Sequence, residues 1–400
     1  MFRPLRLLPI ALGTLVAPLD TAVNIAFPGI TQAFGLPVSA IQWVVVCYVL
    51  VYGCLLLACG RVGDIYGHAT VFRLGLAWSA AAYLLCAWAP SYGWLLACRA
   101  MQGIGAALVL SCGPALATAM FAEYLRPRAL GAYAMVIALG GALGPMLGGV
   151  LVQVWGWEAV FWFRAPIALL ALALSWRGLP AIEAPGERQP GGWLGAAPIL
   201  DLRLFRSADF ALVNVANILL NFAGFAVLLL APYYLVRALD APLGVAGALL
   251  AAGGIGTVAA SPLAARWIGR SSPYALCMLG AMLVAIGLGL VCLWPARAGI
   301  AWILAALLVQ GGGLGLFQVA YMEIVTARMP REDRGVAGSL AHLTRTLGVL
   351  AGATVLSIVF QSFEPGQDFF AAFRQTFAIA ALSAAVVAVA ILARVRRWPR

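Results

Sequence analysis

Charge is what this sequence lacks. Asp, Glu, Lys and Arg together make up 10% of its 400 residues, where a water-soluble globular chain carries about 25%. So few charges cannot cover a water-facing surface, which excludes a soluble globular protein. Lysine is missing altogether: all 25 basic residues are arginine, a bias to which we attach no function. Histidine stands only at positions 68 and 342, too sparse for a histidine-based metal or nucleophile site. The Gly-rich runs do not follow strands and lead to no Gly-Lys-Ser/Thr, so neither a nucleotide site nor ATP drive is expected. The short alternating segments of a membrane β-barrel are missing as well.

What is present is apolar. Hydrophobic residues make up 64% of the chain and the mean hydropathy is +0.99. Apolar runs of about 20 residues recur, each long enough to cross ~30 Å of hydrocarbon as a helix. The expected fold class is an all-α membrane protein with twelve transmembrane helices. Its spans are near residues 7–30, 40–60, 71–89, 93–121, 129–154, 159–178, 209–236, 243–266, 273–295, 299–326, 335–360 and 372–393. The first 18 residues imitate a secretory signal, but the apolar run continues past Asp20 to Ile30, so it reads as a retained first helix. All eight cysteines lie in apolar runs without metal-ligand spacing and read as small packing residues.

The net charge of +11 does not point to nucleic acid, because the arginines are scattered between apolar runs. They cluster in alternate connections: Arg61 and Arg73; Arg126 and Arg128; Arg177, Arg188, Arg203 and Arg206; Arg266 and Arg270; Arg328, Arg331 and Arg334; and the tail "RVRRWPR". The positive-inside rule then puts both termini in the cytoplasm. A Pro/Gly-rich polar stretch, residues 181–209, divides the chain into a six-helix bundle over 1–178, a cytoplasmic linker over 179–208 and a second six-helix bundle over 209–400. Weak echoes link the halves in matching order. "RAMQGIGAAL" (99–108) resembles "LVQGGGLGLF" (308–317), and "ALGGALGPMLGGVLVQ" (138–153) resembles "RTLGVLAGATVLSIVFQ" (345–361). Two parallel repeats with a site at their interface is a transporter layout.

Several polar residues sit inside these runs. An Asp at the centre of a membrane helix costs about 2.5–3.5 kcal/mol on insertion scales, so Asp20 needs a partner or water. Arg99 is the natural partner, with Gln102 one turn away. Asn24 shares a face with Asp20. Asn214, Asn217 and Asn221 form a stripe on the seventh helix, and Gln318 and Tyr321 share a face of the tenth. These stripes line either a cavity or a helix contact. Glu323 either gates or reaches water at a helix end. Gly140, Gly144 and Gly148 recur at i, i+4 and i+8, joined by Gly149. They make a groove into which a neighbouring helix can approach closely, while Pro145 adds a kink.

Together "IQWVVVCYVL", "GRVGDIYGHATVF", "RAMQGIGAAL", "GGALGPMLGG", "DLRLF" and "PREDRGVAGSLAHLTRTLG" resemble the major facilitator superfamily, over nearly the whole chain. The branch most resembled is that of drug:proton antiporters, which usually have fourteen helices; the short linker after Pro180 makes this a twelve-helix variant. The resemblance implies proton coupling through Asp20 and Arg99. It associates the glycine groove with antiport, and it implies a cytoplasmic latch at Gly60, Asp64 and Gly67. Trp43 and Tyr48 match the helix-two pattern, as direct ligand contacts or as packing. Arg345 matches a family arginine, and structural pairing is expected for it. The chain departs from the pattern at Ile65, His68 and Ala69, where basic residues are usual, so that either the latch is weaker or Arg61 and Arg73 serve it. It also departs at Arg164, which replaces an Asn near the outer surface and there either snorkels, pairs with Glu158 or acts in function. Asp20 stands one residue, about 100° of helix, from the usual acid position.

The expectation is a secondary transporter of the bacterial inner membrane, a monomer working by alternating access. It would export small amphipathic molecules of polar or cationic character, with a proton gradient in place of any cofactor. Its partners are the substrate and the bilayer, with no nucleic acid, nucleotide or metal. The alternatives are a proton-linked importer or facilitator of one metabolite and, remotely, a non-transporting receptor or a membrane enzyme.

Overall fold

The computed structural model describes residues 8–119, 126–179, 205–268, 270–295, 297–328, 334–363 and 369–395. The linker expected over 179–208 lies outside these apart from its ends, as do most of "DLRLF", the "PRED" stretch and the end of the Arg-rich tail. Among the described residues the structure is helices joined by short turns, with no strand, and twelve spans are long and apolar enough to cross a membrane. The chain divides into two compact units, Met1–Gly192 and Trp193–Arg400.

In the first unit the leading span is broken. Helix α1 covers Leu8–Val16, a 3₁₀ turn follows over Pro18–Thr21, and the short α2 (Ala22–Ile25) and α3 (Phe27–Ala33) continue the path. Pro18 lacks the N–H that a continuous α-helix would use there. Next come α4 (Gln42–Tyr66), α5 (His68–Ala87), α6 (Tyr92–Ala119), α7 (Arg126–Trp155), the single turn α8 (Ala159–Trp162) and α9 (Arg164–Gly178). Helix α6 packs against both α4 and α5, α9 covers α1 and α5, and α7 lies along the 3₁₀ turn and α2.

The second unit holds α10 (Ala208–Arg237), α11 (Leu243–Ile268), α12 (Pro273–Cys292), α13 (Ile300–Arg328), α14 (Arg334–Phe363) and α15 (Phe369–Val395). Helix α13 is wedged between α11 and α12, α12 packs on α15, and α10 packs on α14. The buried set is rich in alanine, whereas large apolar side chains such as Leu74, Ile286 and Leu382 and many tryptophans point outward. That outward apolar face suits lipid, where packing of small residues rather than hydrophobic exclusion draws helices together.

Candidate functional site

The broken first span presents Asp20 on its 3₁₀ turn. Thr21 holds the turn in place: its Oγ1 donates to the carbonyls of Pro18 and Gly141, both at 3.1 Å. Asn24 is buried and donates to the Thr21 carbonyl at 3.2 Å. Helix α7 makes room for this segment. A Cβ added at Gly140 would lie 2.7 Å from Pro18 Cγ, one at Gly148 would lie 2.9 Å from Ala22 Cα, and one at Gly144 would overlap Thr21 Oγ1. The glycine groove and the acid, separate in the sequence, are thus one packed unit. Pro145 and Gly149 are buried on the same helix.

Three side chains close on the Asp20 carboxylate. Arg99 on α6 grips it with a fork, Nη1 to Oδ1 at 2.7 Å and Nη2 to Oδ2 at 2.8 Å, while its Nε donates to the Val44 carbonyl at 2.8 Å. Bidentate charge-assisted pairing of this kind is among the strongest hydrogen bonding a protein makes. Gln102, one turn on, donates from Nε2 to Oδ1 at 2.8 Å and accepts from Arg99 Nη1 at 2.7 Å. Arg164 donates from Nη1 to the same Oδ1 at 2.7 Å and from Nε to the Val160 carbonyl at 3.0 Å. Arg99 lies over the Tyr48 ring and Arg164 over that of Tyr83, each 4.5 Å from the centroid, and Phe161 lies within reach of both. Both arginines are fully buried, while the Asp20 side chain keeps 15% exposure.

Arg164 leaves only one of the three alternatives open in the sequence. It neither snorkels nor pairs with Glu158; it points inward to Asp20. The short α8 turn sets the start of α9 beside the broken first span, and the long side chain reaches a carboxylate that outweighs the pull of water. A charge balance was the available signal: Asp20 is the one acid inside the first half's spans, and Arg99 and Arg164 both stand clear of the Arg-rich connections.

In the second unit the structure brings Asn214, Asn217, Asn221, Gln318 and Tyr321 together around Asn217. Its Oδ1 accepts from Gln318 at 2.9 Å and from Asn221 at 3.0 Å, and its Nδ2 donates to Thr344 Oγ1 at 2.8 Å. Tyr321 donates to Asn214 Oδ1 at 2.9 Å. Thr344 on α14 carries no signal of its own in the sequence, where it stands among His342, Arg345 and Thr346. Glu323 and Arg345 are exposed and lie outside this network. In the first unit Trp43 is 48% exposed and lies outside the bonded cluster, unlike the nearly buried Tyr48.

Gly67 joins α4 to α5 with φ +88°, a conformation that favours glycine. Asp64 is 68% exposed and meets His68 Nε2 at 3.1 Å; Gly60 lies in the same helix. Arg73 is occupied elsewhere, donating to the Ser175 carbonyl at 2.9 Å and lying over the Trp176 ring. The sequence reading also missed Asp209, which ties Arg328 and Arg394 at 3.4 Å each, with Arg328 also on Ser207 and Tyr274. All eight cysteines are free thiols. Among the described residues no cluster of His, Cys, Asp and Glu could hold a metal ion.

A family model described as Major Facilitator Superfamily matches residues 10–233 and 213–400. The "Multidrug resistance protein Stp" of Mycobacterium tuberculosis (strain CDC 1551 / Oshkosh) is 26% identical over 89% of this chain and 75% of its own length. The "Tetracenomycin C resistance and export protein" of Streptomyces glaucescens is 27% identical over 89% of this chain and 76% of its own. Among solved structures the nucleoside transporter NupG superposes with TM-score 0.76 at 14% identity, covering 99% of this chain and 100% of that one. That last likeness speaks for the fold alone.

Proposed function

The chain belongs to the Major Facilitator Superfamily, and from that premise we propose that it exports small organic molecules in exchange for protons, with Asp20 as the proton-carrying group. It is a multi-pass membrane transporter of small molecules rather than an enzyme. The observation that carries the coupling proposal is the carboxylate on a broken span, held by Arg99, Arg164 and Gln102 and still 15% exposed. Ion pairs inside a membrane span are rare and mark ion pathways. When charged, Asp20 locks the 3₁₀ turn to α6 and α9. When protonated, it loses most of that attraction and frees the turn. A 3₁₀ stretch within a span often marks a hinge. Proton binding thus becomes movement of the segment that α7 cradles, and movement becomes alternating access.

Export is favoured by the relatives, whose names speak of multidrug resistance and of resistance and export. The alternating arginine-rich connections favour cytoplasmic termini. One chain is taken as the working unit, in the bacterial cell membrane, with the proton gradient in place of a bound cofactor.

The test is a proteoliposome assay with a panel of antibiotics and dyes. Substrate movement should follow an imposed proton gradient, reverse when the gradient is reversed, and release protons in countercurrent. Flux that runs only down the substrate's own gradient, indifferent to pH, would reduce the protein to a facilitator. Proton and substrate moving the same way would make it an importer.

A further inference from the structure

The Asp20 cluster is unbalanced. Two guanidiniums face one carboxylate, and all three charged groups belong to the first unit. Arg99 is fully employed: Nε on the Val44 carbonyl, and Nη1 and Nη2 on Asp20 and Gln102. Arg164 is not. Its Nε and Nη1 are used, but its Nη2 is buried with no acceptor among the described residues. The groups packed about the pair are rings and amides: Tyr48, Tyr83, Phe161 and Gln102. None is a second acid. A buried net positive charge with an idle donor is a costly arrangement unless something negative completes it.

We propose that Arg164 Nη2 marks an anion subsite, which takes a small monovalent anion: a halide or a carboxylate. The residue that creates it is the arginine standing where the family's helix-six pattern has an uncharged amide. Chloride retained there is a counter-ion that leaves proton exchange intact. A carboxylate carried there is substrate. Protonation of Asp20 releases a second guanidinium, so anion and proton reinforce each other, and a carried anion moves with the proton rather than against it. With the subsite empty the cluster carries a net positive charge that disfavours cations, which favours the polar over the cationic alternative of the sequence reading. The inference rests on the transporter reading only for what the anion is for, not for whether it binds.

The experiment uses the full chain in nanodiscs of zwitterionic phosphatidylcholine, so that no anionic headgroup competes. Unfolding midpoints are followed by tryptophan fluorescence while chloride, benzoate, benzamide or benzylammonium is titrated, with isethionate holding the ionic strength. Chloride or benzoate should raise the midpoint saturably, and the uncharged and cationic benzene analogues should not. Arg164→Gln should weaken the anion effect about tenfold, the worth of a charge-assisted hydrogen bond. Arg164→Lys should keep part of it, and Asp20→Asn should strengthen it. Equal response to benzoate and benzamide, with none to chloride, overturns the proposal on the wild-type protein alone, whatever the variants' folding. Labelled benzoate crossing proteoliposomes identifies a carried carboxylate. Binding of chloride with no movement of either ion identifies a counter-ion. Binding without flux of any compound would remove the transport reading and leave the subsite standing.

Discussion

Oδ1 of Asp20 accepts from three donors at once: Arg99, Arg164 and Gln102 at 2.7, 2.7 and 2.8 Å. Asp20→Asn would set an amide N–H against those donors or leave one oxygen to serve them all. Removing one member of a buried ion pair costs about 3–5 kcal/mol, because the partner's charge stays behind. The unfolding midpoint in detergent should therefore fall far more for Asp20→Asn than for Asp64→Asn, whose carboxylate is 68% exposed and, among the described residues, pairs with His68. Asp20→Glu keeps the charge and should retain part of the gradient-driven transport that Asp20→Asn loses. Equal midpoints for the two Asn variants would show that the cluster contributes little to the fold. The partnership of Asp20 with Arg99 and Gln102 was legible in the sequence, because an acid and a base inside apolar runs have few ways to be satisfied. Arg164 was not, since a basic side chain near a span's end can reach water or the interior, and helix order alone does not choose. Thr344 and Asp209 were invisible for a plainer reason: a hydroxyl in a helix, or an acid at a helix start, is commonplace until its partners are known.

At the scale of elements, the twelve spans followed directly from run length and hydropathy, but the break in the first span did not. Pro18 was a signal, yet membrane helices tolerate proline when neighbours satisfy the freed groups. Here the Thr21 hydroxyl donates to the Pro18 carbonyl and ties the turn to the Gly141 carbonyl on α7. The cradle on α7 leads to a controlled prediction. An added methyl at Gly144 overlaps Thr21 Oγ1, whereas one at Gly141, three positions earlier, meets nothing within 4 Å. Gly144→Ala should displace the turn that carries Asp20, lower the unfolding midpoint and cut gradient-driven transport. Gly141→Ala should be close to wild type in both assays, with the helix gaining up to about 1 kcal/mol in propensity. If both alanines behaved alike, the close contact of α7 with the turn would not matter to function.

Taken as a whole molecule, the chain divides its polar chemistry unevenly. The first unit holds a charged cluster deep in its spans, and the second holds a neutral network of Asn217, Asn214, Asn221, Gln318, Tyr321 and Thr344. The described acids within the second unit's spans are Asp209, tied to arginines at the first turn of α10, and Glu323, which is exposed near the end of α13. Neither is enclosed as Asp20 is. Amides, a phenol and a hydroxyl do not exchange protons near neutrality, so this network can bind and reorganise, and among the described residues the second unit offers no second enclosed carboxylate. One proton per cycle is the expected stoichiometry. A membrane potential of 100 mV is worth about 2.3 kcal/mol per elementary charge. For an uncharged substrate exchanged against one proton, that sustains on the order of a fiftyfold gradient, while two protons would sustain about 2,500-fold. Proteoliposomes clamped at 100 mv potential with equal pH on both sides, and loaded with increasing substrate ratios, would show flux reversal near the lower figure. Glu323→Gln should leave that reversal point unchanged, because it removes an exposed carboxylate and not the carrier. A reversal near the higher figure, falling to the lower in Glu323→Gln, would instead make the second unit a partner in coupling.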